Sequence, residues 1–217
     1  MINIRNLNKS YESYGKVVLD NINLQIQEGK ITCVLGQSGA GKTTLLNAVC
    51  GLINYSGQID DVQCSYAFNK PNLFANLTVK DNLLLVNKDL KQVEEMLKKL
   101  CILDKINSFP NHLSAGQAQR VSLARAMLYQ KPLLLLDEPF SNLDVGLKFL
   151  LIDRIKEVQK KQNNTILMVT HDIKEAVSIA DRILVLSKGK IIYDNDKIEK
   201  KTEKEIFALL IGLVNID

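Results

Sequence analysis

The sequence contains no apolar run long enough to cross a bilayer. Its longest runs, residues 133–136 and 206–214, fall far short of the roughly 20 residues that a membrane-spanning helix needs. Polar residues interrupt the N-terminal region, so no signal peptide is predicted there. Any role at a membrane would therefore come through a partner protein.

Metal-binding cysteine patterns are also missing. The chain has four cysteines and two histidines, with no C-x-x-C spacing and no histidine cluster. A zinc site is therefore not expected, and free thiols buried in a reducing cytosol explain the cysteines better. The four positions are Cys33, Cys50, Cys64 and Cys101.

Neither the charge nor the length is extreme. The formal net charge is +4, and lysine-rich stretches such as residues 197–204 are more typical of solvated faces than of nucleic-acid sites. The 217 residues, 46% of them hydrophobic, suit one large domain or one domain with a smaller insertion.

The most informative feature is a glycine-rich loop that follows an apolar run at residues 31–35. It fits G-x-x-x-x-G-K-[ST], which joins a strand to a helix around a phosphate. Glycines let backbone N–H groups turn toward an anion, Lys42 can reach the outer phosphates, and the Thr43 hydroxyl can bind Mg²⁺. The predicted helix at residues 44–52 adds its positive N-terminal end.

A glycine-rich turn without a ligand is the alternative, but the position behind a strand pattern favours a nucleoside triphosphate site. The residues predicted to hold the triphosphate are Gly36, Gln37, Ser38, Gly39, Ala40, Gly41, Lys42, Thr43 and Thr44.

Hydrophobic periodicity predicts an α/β fold. The first thirty residues have the pattern of strands, whereas residues 78–109 are helical in spacing, with Thr78 and Asp81 as a capping pair. From residue 113, apolar strands alternate with amphipathic helices, which favours a mainly parallel sheet covered on both faces. Strands are predicted at 133–136, 165–169, 183–186 and 190–193, and helices at 115–129, 145–161, 173–180 and from 202.

Two carboxylates end one of these buried strands. Asp137 and Glu138 directly follow the run at residues 133–136. The ligand crevice of a parallel sheet lies at this end of its strands, which is also where the phosphate loop is expected. Asp137 can then hold Mg²⁺ through water, and Glu138 can polarise an attacking water as a general base. A solvated strand end is the alternative.

A second anion-seeking helix end is predicted near residue 114. Ser114 and Gln117 have the S-x-x-Q spacing of a capping box, which alone indicates only a well-capped helix. Small side chains at Ala115 and Gly116 leave the backbone amides bare, which also suits a phosphate.

The motifs in this order resemble those of the nucleotide-binding subunits of ATP-binding cassette (ABC) transporters, and the resemblance covers about residues 2–193. Residues 113–117 resemble the family signature LSGGQ. Asp137 and Glu138 resemble the Walker B carboxylates.

Further positions support the resemblance. Residues 141–144 are similar to the D-loop, and His171 is similar to the switch histidine. Tyr11 is similar to the aromatic residue that stacks on adenine, although Tyr14 is near enough to leave that choice open.

The resemblance implies a composite site for ATP and Mg²⁺. Two such domains would face each other head to tail, so that the loop around Lys42 of one holds ATP against residues 114–117 of the other. ATP would then belong to the interface and strengthen association. His171 would contact the γ-phosphate and orient the water with Glu138, and Asp144 would support the geometry across the dimer.

The implied fold is a P-loop NTPase of the ABC ATPase type: a mainly parallel sheet core flanked by helices, an antiparallel β subdomain and an inserted helical subdomain. A single domain is expected. Its RecA-like core and β subdomain would occupy residues 1–77 and 111–193, the helical subdomain about 78–110, and a tail 194–217.

Two positions depart from the family pattern. Asn69 stands where a glutamine usually approaches Mg²⁺, and its side chain is shorter by one methylene, about 1.5 Å. Direct metal contact by Asn69 and a bridging water therefore both stay open. Ala115 stands where glycine is usual; helical φ and ψ are predicted there, because a positive φ would cost about 1–2 kcal/mol.

The implied function is an ATPase motor subunit of a transporter at the cytoplasmic face of the inner or plasma membrane, peripheral through its permease. Import is favoured because residues 78–82 and 171–176 look similar to those of subunits serving small nutrients and anions. The groove at residues 69–77 would receive a coupling helix. The candidates for its apolar lining, for some of which core packing is the alternative, are Phe68, Leu73, Phe74 and Leu77.

The implied partners are a second nucleotide-binding subunit, transmembrane permease subunits and an extracytoplasmic solute-binding protein, with no nucleic acid. A homodimer is expected, although a different second chain could complete the site. An exporter subunit, a soluble ABC ATPase unconnected with transport, and a cassette that hydrolyses ATP poorly are the alternatives.

Overall fold

The computed structural model describes residues 1–11, 16–199 and 201–214. They divide into two compact units. The first unit comprises Met1–Val62 and Thr165–Asp217, and the second comprises Gln63–Asn164. No helix among the described residues has the length and apolarity to span a membrane.

The first unit contains an antiparallel sheet with strand order β2-β1-β4. The sequence alternation explains it, because Ile22, Leu24 and Ile26 are buried while the polar residues between them are exposed. The three strands are β1 (Ile2–Tyr11), β2 (Lys16–Ile26) and β4 (Ser56–Ile59).

A second set of strands in the first unit carries the glycine-rich loop. The central strand, β3 (Ile31–Leu35), is buried along its whole length and pairs in parallel with β7 (Thr165–Thr170) and β8 (Arg182–Ser187). Continuous apolar strands of this kind need cover on both faces. The remaining elements are β9 (Lys190–Asn195), antiparallel to β8, and helices α1 (Lys42–Val49), α6 (Ile173–Ile179) and α7 (Thr202–Val214).

The second unit contains one parallel strand pair and most of the helices. Strand β5 (Cys64–Ala67) pairs with β6 (Leu133–Asp137). The helices are α2 (Val79–Leu84), α3 (Leu90–Lys99), α4 (Ala115–Leu128) and α5 (Val145–Gln162), with 3₁₀ turns at Leu103–Lys105 and Pro110–His112.

The predicted fold class is confirmed, since parallel strands, covering helices and an antiparallel sheet are all observed. The predicted capping pair is also confirmed, because the Thr78 hydroxyl accepts the Asp81 N–H at 3.1 Å. The first helix was predicted from residue 44 but begins at Lys42, because the left-handed backbone of Gly41 (φ +105°) ends the loop there.

The prediction of buried thiols is wrong for most of the cysteines. None of the four forms a disulfide in the described structure, but only Cys33 is buried, and Cys101 is exposed. Cys101 directly follows the C-cap of α3 and has a positive φ of 54°. It therefore lies beyond the end of the helix, where its side chain is exposed to solvent.

Candidate functional site

The glycine-rich loop between β3 and α1 lacks room for side chains at two of its glycines. A Cβ at Gly36 would lie 2.5 Å from the carbonyl oxygen of Leu186, and one at Gly41 would lie 2.8 Å from that of Val18. Gly39 and Gly41 have φ values of +80° and +105°, which other residues rarely adopt. The close backbone packing therefore explains why this loop needs glycine.

Lys42 is the first residue of α1 and only 6% exposed, yet its ammonium group reaches back across the loop. Its Nζ donates to the carbonyl oxygens of Gly36 at 2.8 Å and Gln37 at 3.1 Å. Thr43, beside it, is exposed. A buried cation at the positive end of a helix creates a strong preference for an anionic ligand.

The predicted switch histidine lies beside this loop within the first unit. His171 is exposed and directly follows β7, whose last residue, Thr170, pairs with Leu35 at the end of β3. The Gly36 N–H donates to the Thr170 carbonyl at 3.3 Å. The parallel pairing thus brings the predicted phosphate loop and His171 to the same sheet end.

The candidate adenine-stacking residue, Tyr11, is the last residue of β1 and is 37% exposed. The Lys9 ammonium lies 4.7 Å from the centre of its ring, a cation–π contact. Its exposed ring is available for stacking. Tyr14, the other candidate, lies outside the described residues.

A cavity of about 410 Å³ adjoins the phosphate loop, and sequence reasoning missed its apolar lining. Val17 and Val18 of β2 and Leu210 of α7 line it together with residues 37–40 and 186–189. Val17, Val18 and Leu210 are distant in sequence from the phosphate loop and belong to no motif, so only the fold brings them to it.

The two predicted carboxylates end β6 in the second unit. Asp137 is 2% exposed, whereas Glu138 is half-buried and has a positive φ of 47°. This conformation costs a residue other than glycine about 1–2 kcal/mol. Such strain is concentrated at functional sites, because the backbone there must aim a side chain.

The predicted capping box is confirmed at the start of α4. The Gln117 N–H donates to the Ser114 hydroxyl at 3.2 Å, and the Ser114 N–H donates to the Gln117 side chain at 2.9 Å. Ala115 is the first residue of α4 and does not have a positive φ, so the predicted helical geometry is confirmed.

Gly116 packs against the D-loop, residues 141–144. A Cβ at Gly116 would lie 2.7 Å from the carbonyl oxygen of Asn142, so this position excludes any side chain. Asp144 caps α5, since its carboxylate accepts the Leu147 N–H at 2.9 Å. The second unit therefore brings the signature and the D-loop together.

Asn69 lies exposed in the turn after β5. The Gln119 amide on α4 donates to the carbonyl of the neighbouring Phe68 at 3.3 Å. Sequence reasoning missed Gln119, which is 1% exposed. This contact ties the Asn69 turn to the helix that begins at the signature.

The loop after Asn69 is held by two side chains that no motif indicated. The fully buried Asn82 of α2 accepts the Phe74 N–H at 2.8 Å and donates to the carbonyls of Phe74, Leu77 and Thr78 at 3.0–3.1 Å. Arg125 of α4 donates to the Asn72 carbonyl at 2.5 Å. Phe74 itself stays 54% exposed on this fixed backbone.

Comparison with known proteins identifies a family and several relatives to which the chain is similar. The family model described as ABC transporter matches residues 19–141. The chain is 38% identical to the glucose import ATP-binding protein of Saccharolobus solfataricus, over 98% of this chain and 68% of that protein. It is 36% identical to a probable ABC transporter ATP-binding protein of Campylobacter jejuni, over 90% of each chain.

Another relative is longer than this chain. The choline transport ATP-binding protein of Bacillus subtilis is 36% identical over 88% of this chain, which spans only 56% of that protein.

Solved structures resemble the chain closely. The dimeric structure of a bacterial ABC transporter cassette has a TM-score of 0.84 and 29% identity, covering 92% of this chain and 99% of that one. A dimeric post-hydrolysis state of a cassette, bound to ADP and Pi, has a TM-score of 0.83 and 28% identity with the same coverage.

Proposed function

Because the chain belongs to the ATP-binding cassette (ABC) transporter family, we propose that it is an ATPase subunit that powers solute transport through membrane partners. The observation that carries the proposal is the loop between β3 and α1. There the buried Lys42 ammonium, the glycine-rich backbone and the adjacent His171 support a site for a triphosphate.

The oxygen donors of the chain fit Mg²⁺ as the second component of the nucleotide site. Thr43 offers a hydroxyl in the first turn of α1, and Asp137 offers a carboxylate at the end of β6; these hard oxygen ligands suit Mg²⁺. When bound, the ion neutralises phosphate charge. Asn69, exposed after β5, is proposed to assist through its amide oxygen, directly or through water.

The chain's residues have distinct roles in the proposed hydrolysis. A water oxygen attacks the γ-phosphorus, the bond to the β–γ bridging oxygen breaks, and the Glu138 carboxylate accepts a proton from that water. Lys42 stabilises the charge on the outer phosphates. His171 donates to the γ-phosphate and helps to orient the water. Tyr11 stacks on the adenine.

We propose that a second copy of the chain completes the site through its residues 114–117. The capped N-terminus of α4, with no side chain at Gly116, leaves backbone amides for the γ-phosphate. The dimeric form of the similar cassettes supports this pairing.

The direction of transport is proposed to be import, because proteins of similar sequence are named for glucose import and choline transport. The chain would act at the cytoplasmic face of the membrane, bound to transmembrane permease subunits that work with an extracytoplasmic solute-binding protein. The groove at residues 69–77, where Phe74 is exposed, is proposed to receive the permease.

The proposal is tested by steady-state ATP hydrolysis with Glu138→Gln as the matched variant. An amide is isosteric with the carboxylate but cannot accept the proton, so kcat is expected to fall by about a hundredfold or more. ATP affinity should change little. Equal rates for the variant and the unmodified chain would remove Glu138 from the reaction, and no hydrolysis by the unmodified chain with its permease would refute the ATPase.

A further inference from the structure

Thr170 makes three hydrogen bonds around the backbone of His171. Its hydroxyl donates to the Glu175 carboxylate at 2.5 Å and accepts the Asp172 N–H at 3.1 Å. Its carbonyl accepts the N–H of Gly36, the first residue of the phosphate loop, at 3.3 Å. Thr170 thus fixes the chain on both sides of His171 and joins it to the loop.

The burial of Glu175 next to this segment is unusual for a carboxylate. It belongs to α6 and is 4% exposed, and Thr170 is 1% exposed, so their contact is shielded from water. A carboxylate is rarely buried without a structural reason, because its desolvation is costly. Burial, together with the Glu175 charge, holds the pKa of the Cys33 thiol well above its usual range.

A second set of hydrogen bonds holds the C-terminal part of this segment. The Asp172 carboxylate caps α6 by accepting the N–H groups of Lys174 at 2.8 Å and Glu175 at 3.3 Å. The backbone of residues 170–175 is therefore bonded at both ends and in the middle. His171 is exposed on this segment, so these bonds hold its backbone while its side chain lies at the protein surface.

We propose that Thr170 and Glu175 are positioning residues for ATP hydrolysis: the buried Thr170–Glu175 hydrogen bond holds His171 at a fixed distance from the phosphate loop. Neither side chain touches the nucleotide. They act through His171, and the inference rests on the role proposed for His171 above. Small displacements of a group that orients the reacting water reduce the rate strongly, whereas ATP binding depends on the loop itself.

Thr170→Val is the decisive variant, because valine keeps the shape and the strand preference of threonine but removes both hydroxyl bonds. Its kcat is expected to fall by about ten- to a hundredfold, with the Kd for ATP changed by less than about threefold. Thr170→Ser keeps the hydroxyl and should retain kcat within about threefold.

Thr32→Val is the matched control. Thr32 lies on β3, is fully buried, and its hydroxyl has no hydrogen-bond partner within the described part of the chain. The same substitution in the same sheet should therefore leave kcat and the Kd for ATP unchanged. Should Thr170→Val fail to fold, Glu175→Gln replaces it: the neutral acceptor is weaker, so kcat should fall by about three- to tenfold at unchanged Kd.

The outcomes separate this inference from the proposed function. If His171→Ala is inactive while Thr170→Val, or Glu175→Gln in its place, keeps full kcat, the positioning role is overturned and the function stands. A loss in Thr170→Ser as large as in Thr170→Val would also overturn it, because the hydroxyl would then not be the cause. If His171→Ala hydrolyses ATP like the unmodified chain, the proposed role of His171 itself fails.

Discussion

At the scale of single residues, the site combines well-packed positions with strained ones. Glu138 holds a left-handed backbone, which is strained for a residue other than glycine, and Gly116 fits only without a side chain. Lys42 is buried, and its ammonium donates to the carbonyl oxygens of Gly36 and Gln37. These features are explained if the chain must present charge and backbone amides to a ligand.

Phe74 allows the proposed permease contact to be tested through one exposed side chain. Phe74→Glu should leave the fold intact, because the ring is 54% exposed and the loop backbone is held by Asn82. A charge there would oppose apolar docking, so ATP-driven uptake into vesicles containing the complex should fall by about tenfold or more. ATP hydrolysis by the isolated subunit should persist.

Phe207→Glu provides the control for Phe74→Glu. Phe207 lies on α7 in the first unit and is 57% exposed, so the substitution changes charge and exposed apolar area in the same way but outside the loop. Its uptake should equal that of the unmodified complex. Normal uptake with Phe74→Glu would show that the permease does not contact this loop.

At the scale of elements, the sequence predicted what local patterns determine. The helix caps and the apolar strands depend on neighbours within a few positions, so the caps at Ser114 and Thr78 and the strand at residues 133–136 were predicted correctly. The division of the chain at residues 62–63 and 164–165 was not apparent, because it depends on contacts far apart in sequence.

The hydrogen bonds of Asn82 could not be predicted for the same reason. An asparagine in a leucine-rich helix has no local signal that its side chain is buried. Only the fold shows that its side-chain amide pairs with the Phe74 backbone as a neighbouring strand would. The amide accepts the Phe74 N–H and donates to the Phe74 carbonyl. Gln119 and Arg125 of α4 likewise donate hydrogen bonds to loop carbonyls, and no sequence motif distinguishes these two residues.

Replacing Asn82 should therefore destabilise the second unit. Asn82→Leu removes the side-chain bonds to the Phe74 N–H and to three carbonyls. Backbone N–H groups still donate to the Phe74 and Thr78 carbonyls, so the loss falls on the Phe74 N–H and the Leu77 carbonyl, and the free energy of unfolding should fall by about 2–4 kcal/mol. Urea denaturation measures the change. Asn76→Leu, at an exposed position of the same loop, should alter it by no more than about 0.5 kcal/mol. Similar effects from both variants would mean that the amide bonds add little.

At the scale of the whole molecule, the two units carry different parts of the proposed machinery. The phosphate loop, Tyr11 and His171 belong to the first unit, whereas the signature, Asp137 and Glu138 belong to the second. The signature thus belongs to a different unit from the phosphate loop, and it is proposed to serve the ATP of a second chain. ATP would then act as part of a protein interface.

Ala115→Glu should separate dimerisation from folding. An acidic residue in the first turn is favourable for α4, so the free energy of unfolding should change by less than about 1 kcal/mol. The same charge would face the γ-phosphate bound by the other chain and repel it. In the Glu138→Gln background with saturating ATP, light scattering should show a dimer, and adding Ala115→Glu should leave a monomer that still binds ATP. A dimer that persists with the acidic residue would place the signature away from the phosphates, whereas a monomer without it would refute the ATP-dependent pairing itself.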